Sequence, residues 1–69
     1  MRYLKPIRIA LKHAGVTKAD ASFIQVKSDV DDRMQQYDVE FHEGDWEYEF
    51  EIHAETGKIL SYDKDHRYD

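Results

Sequence analysis

Cysteine is absent from this 69-residue chain, proline occurs once and glycine three times. Without thiols there is no disulfide to brace a small fold and no thiolate to bind a metal or attack a substrate. No glycine-rich phosphate loop and no strand–turn–helix serine motif is present either. No apolar run approaches the roughly 20 residues that cross a bilayer, which excludes direct membrane insertion by a helix of this chain. "MRYLKPIRIALKHAG" spreads its basic residues instead of placing them ahead of an apolar block, so it does not read as a signal peptide. Lys and Arg are missing between Met34 and Gly57, and the net charge is −5. That balance argues against nucleic acid as a partner.

What is there is a chain 41% apolar and 13% aromatic, enough for one folded core near the lower size limit for a single domain. Charge is uneven. Arg2, Lys5, Arg8 and Lys12 crowd the first twelve positions, while seven carboxylates lie between Asp38 and Glu51. A basic end and an acidic face follow.

The spacing predicts a helix over about 4–14, with Ile7, Ala10, Leu11 and Ala14 on one stripe and Lys5, Arg8 and Lys12 opposite. Pro6 suits a first turn and Gly15 a C-terminal cap. "VTKADA" reads as a short turn that Thr17 can cap. Four strands then follow, at about 22–28, 34–43, 46–54 and 58–63, with a polar tail over 64–69 that should fray. In the first strand Ile24 and Val26 are the better inward pair, with Phe23 competing. "DVDD" after it is turn-like, and "ETGK" is a turn in which Gly57 takes positive φ.

The second and third strands fix their own register. A two-residue turn at Gly44-Asp45 pairs Glu43 with Trp46, so Phe41 faces Tyr48, Val39 faces Phe50 and Tyr37 faces Ile52. A slip of one residue would break every one of these apolar pairs. The same register sets Glu40 opposite Glu49 and Asp38 opposite Glu51, and facing like charges destabilise a sheet. One face is therefore aromatic and covered by the helix, and the other is acidic and wet.

Several chemical readings fail on geometry. His42 and His53 lie roughly 20 Å apart along the hairpin at about 3.3 Å per residue, too far to share a metal. A site using His42 with Glu47 and Glu49 is the remaining metal arrangement; the simpler reading is a solvated His42–Glu47 pair. Asp29, Asp31 and Glu40 mimic three positions of a calcium loop, but Arg33 stands at a ligand position and Met34 where glycine must turn the chain. That segment reads as a hairpin turn. On an open sheet face nothing separates two carboxylates into an acid and a base, so no catalytic pair is expected. No cofactor and no metal is expected, and the chain reads as non-enzymatic. Asp38, Glu40, His42, Glu47, Glu49 and Glu51 are the candidate partner-binding residues. An outer charged face that only maintains solubility is the competing reading.

"YDVEFHEGDWEYEFEIHAETGKIL" resembles the PepSY domain, the module named for peptidase propeptides and the YpeB protein. That family is similar in an "A…AG" helix, a "Y-x-V-x-F/V" strand and "Y-x-Y/F-x-I-D-A-x-T-G-x-I-L". Here the matches are Ala10, Ala14 and Gly15; Tyr37, Val39 and Phe41; and Tyr48, Phe50, Ile52, Ala54, Thr56, Gly57, Ile59 and Leu60. The resemblance covers residues 5–63. It implies an α+β, cystatin-like fold of order α-β-β-β-β, with one helix on a curved four-stranded antiparallel sheet. It also implies a non-enzymatic, extracytoplasmic module that binds a protein, a peptidase among the candidates, and inhibits or regulates it. In propeptides of thermolysin-type metallopeptidases the module accompanies the enzyme; elsewhere it stands singly or in tandem on surface and membrane proteins. His53 replaces the family's usual Asp; if that Asp orders the following turn by accepting backbone hydrogen bonds, His53 is expected to do so less well, and a role tied to the carboxylate does not carry over. A small-ligand or metal-ion module and a structural repeat unit are the alternatives, and the expected state is a monomer or a swapped dimer.

Overall fold

The computed structural model describes residues 5–31 and 34–67. One helix, α1 (Pro6–Ala14), precedes four strands: β1 (Ser22–Asp31), β2 (Met34–Glu43), β3 (Trp46–His53) and β4 (Ile59–His66). The strands form one antiparallel sheet in chain order. This is the α+β architecture, α-β-β-β-β, that the sequence predicts.

Local chemistry sets the ends of α1. Pro6 opens it, where its missing N–H leaves no bond unmade. Gly15 closes it at φ 73°, a left-handed conformation that costs glycine little. The Gly15 N–H then reaches Lys12 O at 3.3 Å and the Val16 N–H reaches Leu11 O at 3.0 Å. That pair of bonds satisfies otherwise orphaned carbonyls, and Val16 turns back into the core. The expected start of the helix at residue 4 lies outside the described residues. Thr17 ties the next turn through its hydroxyl, 3.0 Å from Asp20 Oδ2.

The core is the meeting of one helix stripe with one sheet face. Ala10, Leu11 and Val16 pack on Val39, Phe41, Tyr48, Phe50 and Ile52, with Ile7, Ile9, Ala14, Tyr37 and Ile59 half-buried around them. Phe41 stacks between two rings, with centroids 4.9 Å from Tyr48 and 6.1 Å from Phe50. The β2–β3 ladder has the register that the apolar pattern dictates: Tyr37 faces Ile52, Val39 faces Phe50, Phe41 faces Tyr48 and Glu43 faces Trp46.

Three expectations need correction. β1 does not stop at residue 28; Asp29, Val30 and Asp31 stay in the strand, with Asp31 opposite Met34, so these three residues of the "DVDD" stretch are not a turn, and Asp32 lies outside the described residues. β4 likewise continues through the predicted tail to His66. Lys64 there lies over the Trp46 and Tyr48 rings at 4.5 and 5.5 Å, and the Arg67 N–H bonds Asp45 O. Cation–π contact and a backbone anchor replace the apolar burial that the polar letters lack.

The third correction concerns the inward residues of β1. Val26 does face Val39, but α1 packs on β2 and β3, and Val26 stays 43% exposed. A bulge between Ser22 and Gln25 puts Phe23 at φ 53° with 72% of its surface open. No apolar residue of β1 is buried.

The β3–β4 turn answers the question raised by His53. Its Nδ1 accepts the N–H groups of Glu55 at 3.1 Å and Thr56 at 3.2 Å, the two-bond task a carboxylate performs in such turns. Thr56 Oγ1 accepts the Lys58 N–H at 3.2 Å, and Gly57 takes φ 77°. Imidazole does this only as the Nε2–H tautomer. His53→Ala is therefore expected to cost about 1–2 kcal/mol in denaturant unfolding followed by Trp46 fluorescence, whereas His53→Asp keeps wild-type stability within about 0.5 kcal/mol. Equal losses in both variants would show that acceptance at this position does not hold the turn.

Candidate functional site

Strand alternation forces the side chains between the core residues onto the other face. Cross-strand partners then assemble into rows that run through all four strands. One row is Ser22, His42, Glu47 and Asp65; the next is Gln25, Glu40, Glu49 and Asp63; the third is Lys27, Asp38, Glu51 and Ser61. Seven carboxylates occupy these rows, and Lys27 is their one Lys or Arg. The second and third rows line a shallow trough of about 310 Å³ whose floor includes Val39 and Phe50.

All six candidate residues, Asp38, Glu40, His42, Glu47, Glu49 and Glu51, come together on this face. His42 Nε2 lies 3.3 Å from Glu47 Oε1, while its Nδ1 is enclosed without a protein hydrogen-bond partner. His53 sits at the far end of the hairpin, opposite Gln36. Among the described residues no group of three or more His, Asp or Glu side chains is arranged to hold a metal ion. The His42–Glu47–Glu49 arrangement therefore does not form.

The trough strains its own electrostatics. Glu49 sits mid-row, and its pKa is raised, first by lost hydration and then by Glu40, Asp63, Glu47 and Asp38 around it. On the opposite face the Tyr48 hydroxyl donates to Glu43 Oε1 at 3.3 Å. Burial, followed by the charge of Glu43, raises the phenol's pKa and keeps it a neutral donor.

Some contributors escaped the sequence reading. Asp63 and Asp65 belong to the acidic rows; Asp63 lies in the expected last strand, where its alternation with Ser61 is the available signal, whereas Asp65 falls in the expected tail. Gln36, at 5% exposure, is buried on the acidic side, where its Nε2 donates to Asp38 Oδ1 at 3.1 Å. Phe23 stands over His42 with ring centroids 5.2 Å apart. Only the bulge places it there, and nothing in local composition announces that bulge.

The match to a family model decides the relationship. The model described as "Peptidase propeptide and YPEB domain" covers residues 7–63. The chain belongs to the PepSY family. A Streptococcus pyogenes (serotype M6) protein, "Uncharacterized protein Spy1430", is 44% identical over 52 residues, covering 75% of this chain and 40% of that protein. The chain thus spans less than half the length of that relative. No solved structure matches this chain. PepSY domains are generally non-catalytic and typically occur in extracytoplasmic proteins. Among the described residues no helix is long and apolar enough to cross a membrane.

Linkage turns the Glu49 shift into a measurable effect. A carboxylate whose pKa is higher in the folded state binds protons more tightly there, so it favours folding below its unfolded value. That advantage disappears as pH rises through the folded value. Glu49→Gln should therefore raise the urea midpoint at pH 7 and leave it nearly unchanged at pH 4. A midpoint that shifts equally at both values would remove the electrostatic account of this row.

Proposed function

We propose that this PepSY domain is a non-enzymatic protein-binding module that regulates a peptidase or another cell-envelope protein, inhibition being the simplest outcome. The single observation that supports it is the continuous run of carboxylates on β2, β3 and β4, which with Gln25 and Lys27 of β1 forms one trough in which Lys27 is the one strong base. Facing like charges lower the stability of a small domain. Acidic rows that run through β2, β3 and β4 point to a partner whose cationic groups relieve the repulsion on contact. Asp38, Glu40, Glu47, Glu49 and Glu51 supply the complementary charge, and His42 with Glu47 borders the trough.

Phe23 adds an apolar anchor at one end. Its open ring and left-handed backbone cost stability without helping the core, and exposed aromatics beside a charged rim dominate many interfaces. The family description, with its link to peptidase propeptides, makes a thermolysin-type metallopeptidase the first enzyme to test.

The experiment is an envelope-extract capture followed by kinetics on the retained protein and a peptidase assay. The triple variant Glu47→Gln, Glu49→Gln, Glu51→Gln should slow association by about tenfold at low salt and flatten its salt dependence. Phe23→Gly should instead speed dissociation by about tenfold. An on-rate and salt dependence equal to wild type would reduce the acidic face to a solubility device.

A further inference from the structure

β1 is an edge strand of ten residues and the least covered element of the fold. Val26 is 43% and Val30 63% exposed on the helix side of the sheet, because α1 packs on β2 and β3 instead. The Val30 N–H is turned away from β2, and the Asp29 carboxylate accepts it at 2.9 Å. By strand alternation the backbone groups of Ser28 and Val26 face outward as well. Long edges with open amides and exposed β-branched residues are pairing templates unless blocked. Over this stretch the blocking consists of Lys27 and Asp29, which have opposite signs.

Those two charges are self-complementary. An antiparallel β1–β1 pair centred on Ser28 sets Val26 of one copy opposite Val30 of the other. It also sets Lys27 opposite Asp29 in both directions. The outward-facing residues Val26, Ser28 and Val30 become the hydrogen-bonded pairs of the new ladder, with Asp29 releasing the Val30 N–H as it turns to Lys27 of the other copy. Both valine pairs fall on the helix side, where no helix obstructs them, and both Lys–Asp pairs fall on the acidic side. Registers displaced by one residue lose the charge match and put valine opposite a charged residue.

We infer that β1 is an interaction surface for a second copy of this chain, joined strand to strand through residues 26–30 about a two-fold axis at Ser28. No segment is exchanged, which distinguishes this arrangement from a swapped dimer. The product is an eight-stranded sheet with both acidic faces on one side. The contact is smaller than a standard protein interface, so the association is weak and opposed by the net charge of each copy at low ionic strength.

Sedimentation equilibrium at about 0.15 M salt, between about 10 µM and 1 mM protein, tests this directly. Wild type should pass from monomer to dimer and stop there. Lys27→Asp and Asp29→Lys should each weaken the dimer at least about tenfold, and an equimolar mixture of the two should recover wild-type association within about threefold. Asp29→Lys faces the neutral Gln36 within its own sheet, so it keeps the test valid if Lys27→Asp, which faces Asp38, fails to fold; circular dichroism monitors this. Monomer throughout, a dimer indifferent to Asp29→Lys, or a mixture of folded variants that fails to recover would overturn the inference. None of these outcomes bears on the partner proposed for the trough, which is read by association kinetics.

Discussion

The pairing of β2 with β3 is the constraint on which the rest of the structure depends. One register brings Val39, Phe41, Tyr48, Phe50 and Ile52 to a single side, where α1 covers them. The same register, with no further choice available, drives Glu40 against Glu49 and Asp38 against Glu51 on the other side. Core and acidic face are two consequences of one alignment. The apolar gain is large, because each buried ring contributes roughly 1.5–3 kcal/mol, while each facing pair of like charges costs at most about 1 kcal/mol. The sheet therefore tolerates the repulsion.

That tolerance explains how a weakly stabilised domain can keep a charged surface. β4 extends the acidic rows with Asp63 and Asp65, β1 borders them with Ser22, Gln25 and Lys27, and the helix keeps its cations, Lys5, Arg8 and Lys12, on the far side of the molecule. The result is a separation of sign across the thickness of a small fold. A partner approaching the trough meets a directional field, which acts mainly on the rate and orientation of encounter.

Legibility in the sequence followed the strength of local pattern. The helix, its Gly15 cap and the central hairpin register were readable because period, cap chemistry and turn length agreed. The reach of β1 and β4 was not readable. Asp29 to Asp31 and Lys64 to His66 carry letters typical of turns and tails, and they stay in the sheet through ladder pairing, ring–cation contact and the Arg67 anchor. The bulge that exposes Phe23 has no local signature. His53 was legible as a departure from the family pattern, yet not as its functional equivalent, because residue type alone does not reveal that Nδ1 is aimed at two amides. The six candidate residues were found together because they all come from the one hairpin whose register could be derived. Asp65 was missed because it lies beyond the expected end of the last strand, and Asp63, though inside that strand, was missed because no register tied β4 to β3.

Two-dimensional NOE spectroscopy of the hairpin examines this alignment most directly. The account predicts contacts from the Val39 methyls to the Phe50 ring and from the Glu40 methylenes to those of Glu49. Contacts displaced by one position, with Val39 against Glu49 or Glu51 and Glu40 against the Phe50 ring, would contradict it and dissolve the acidic face together with the core.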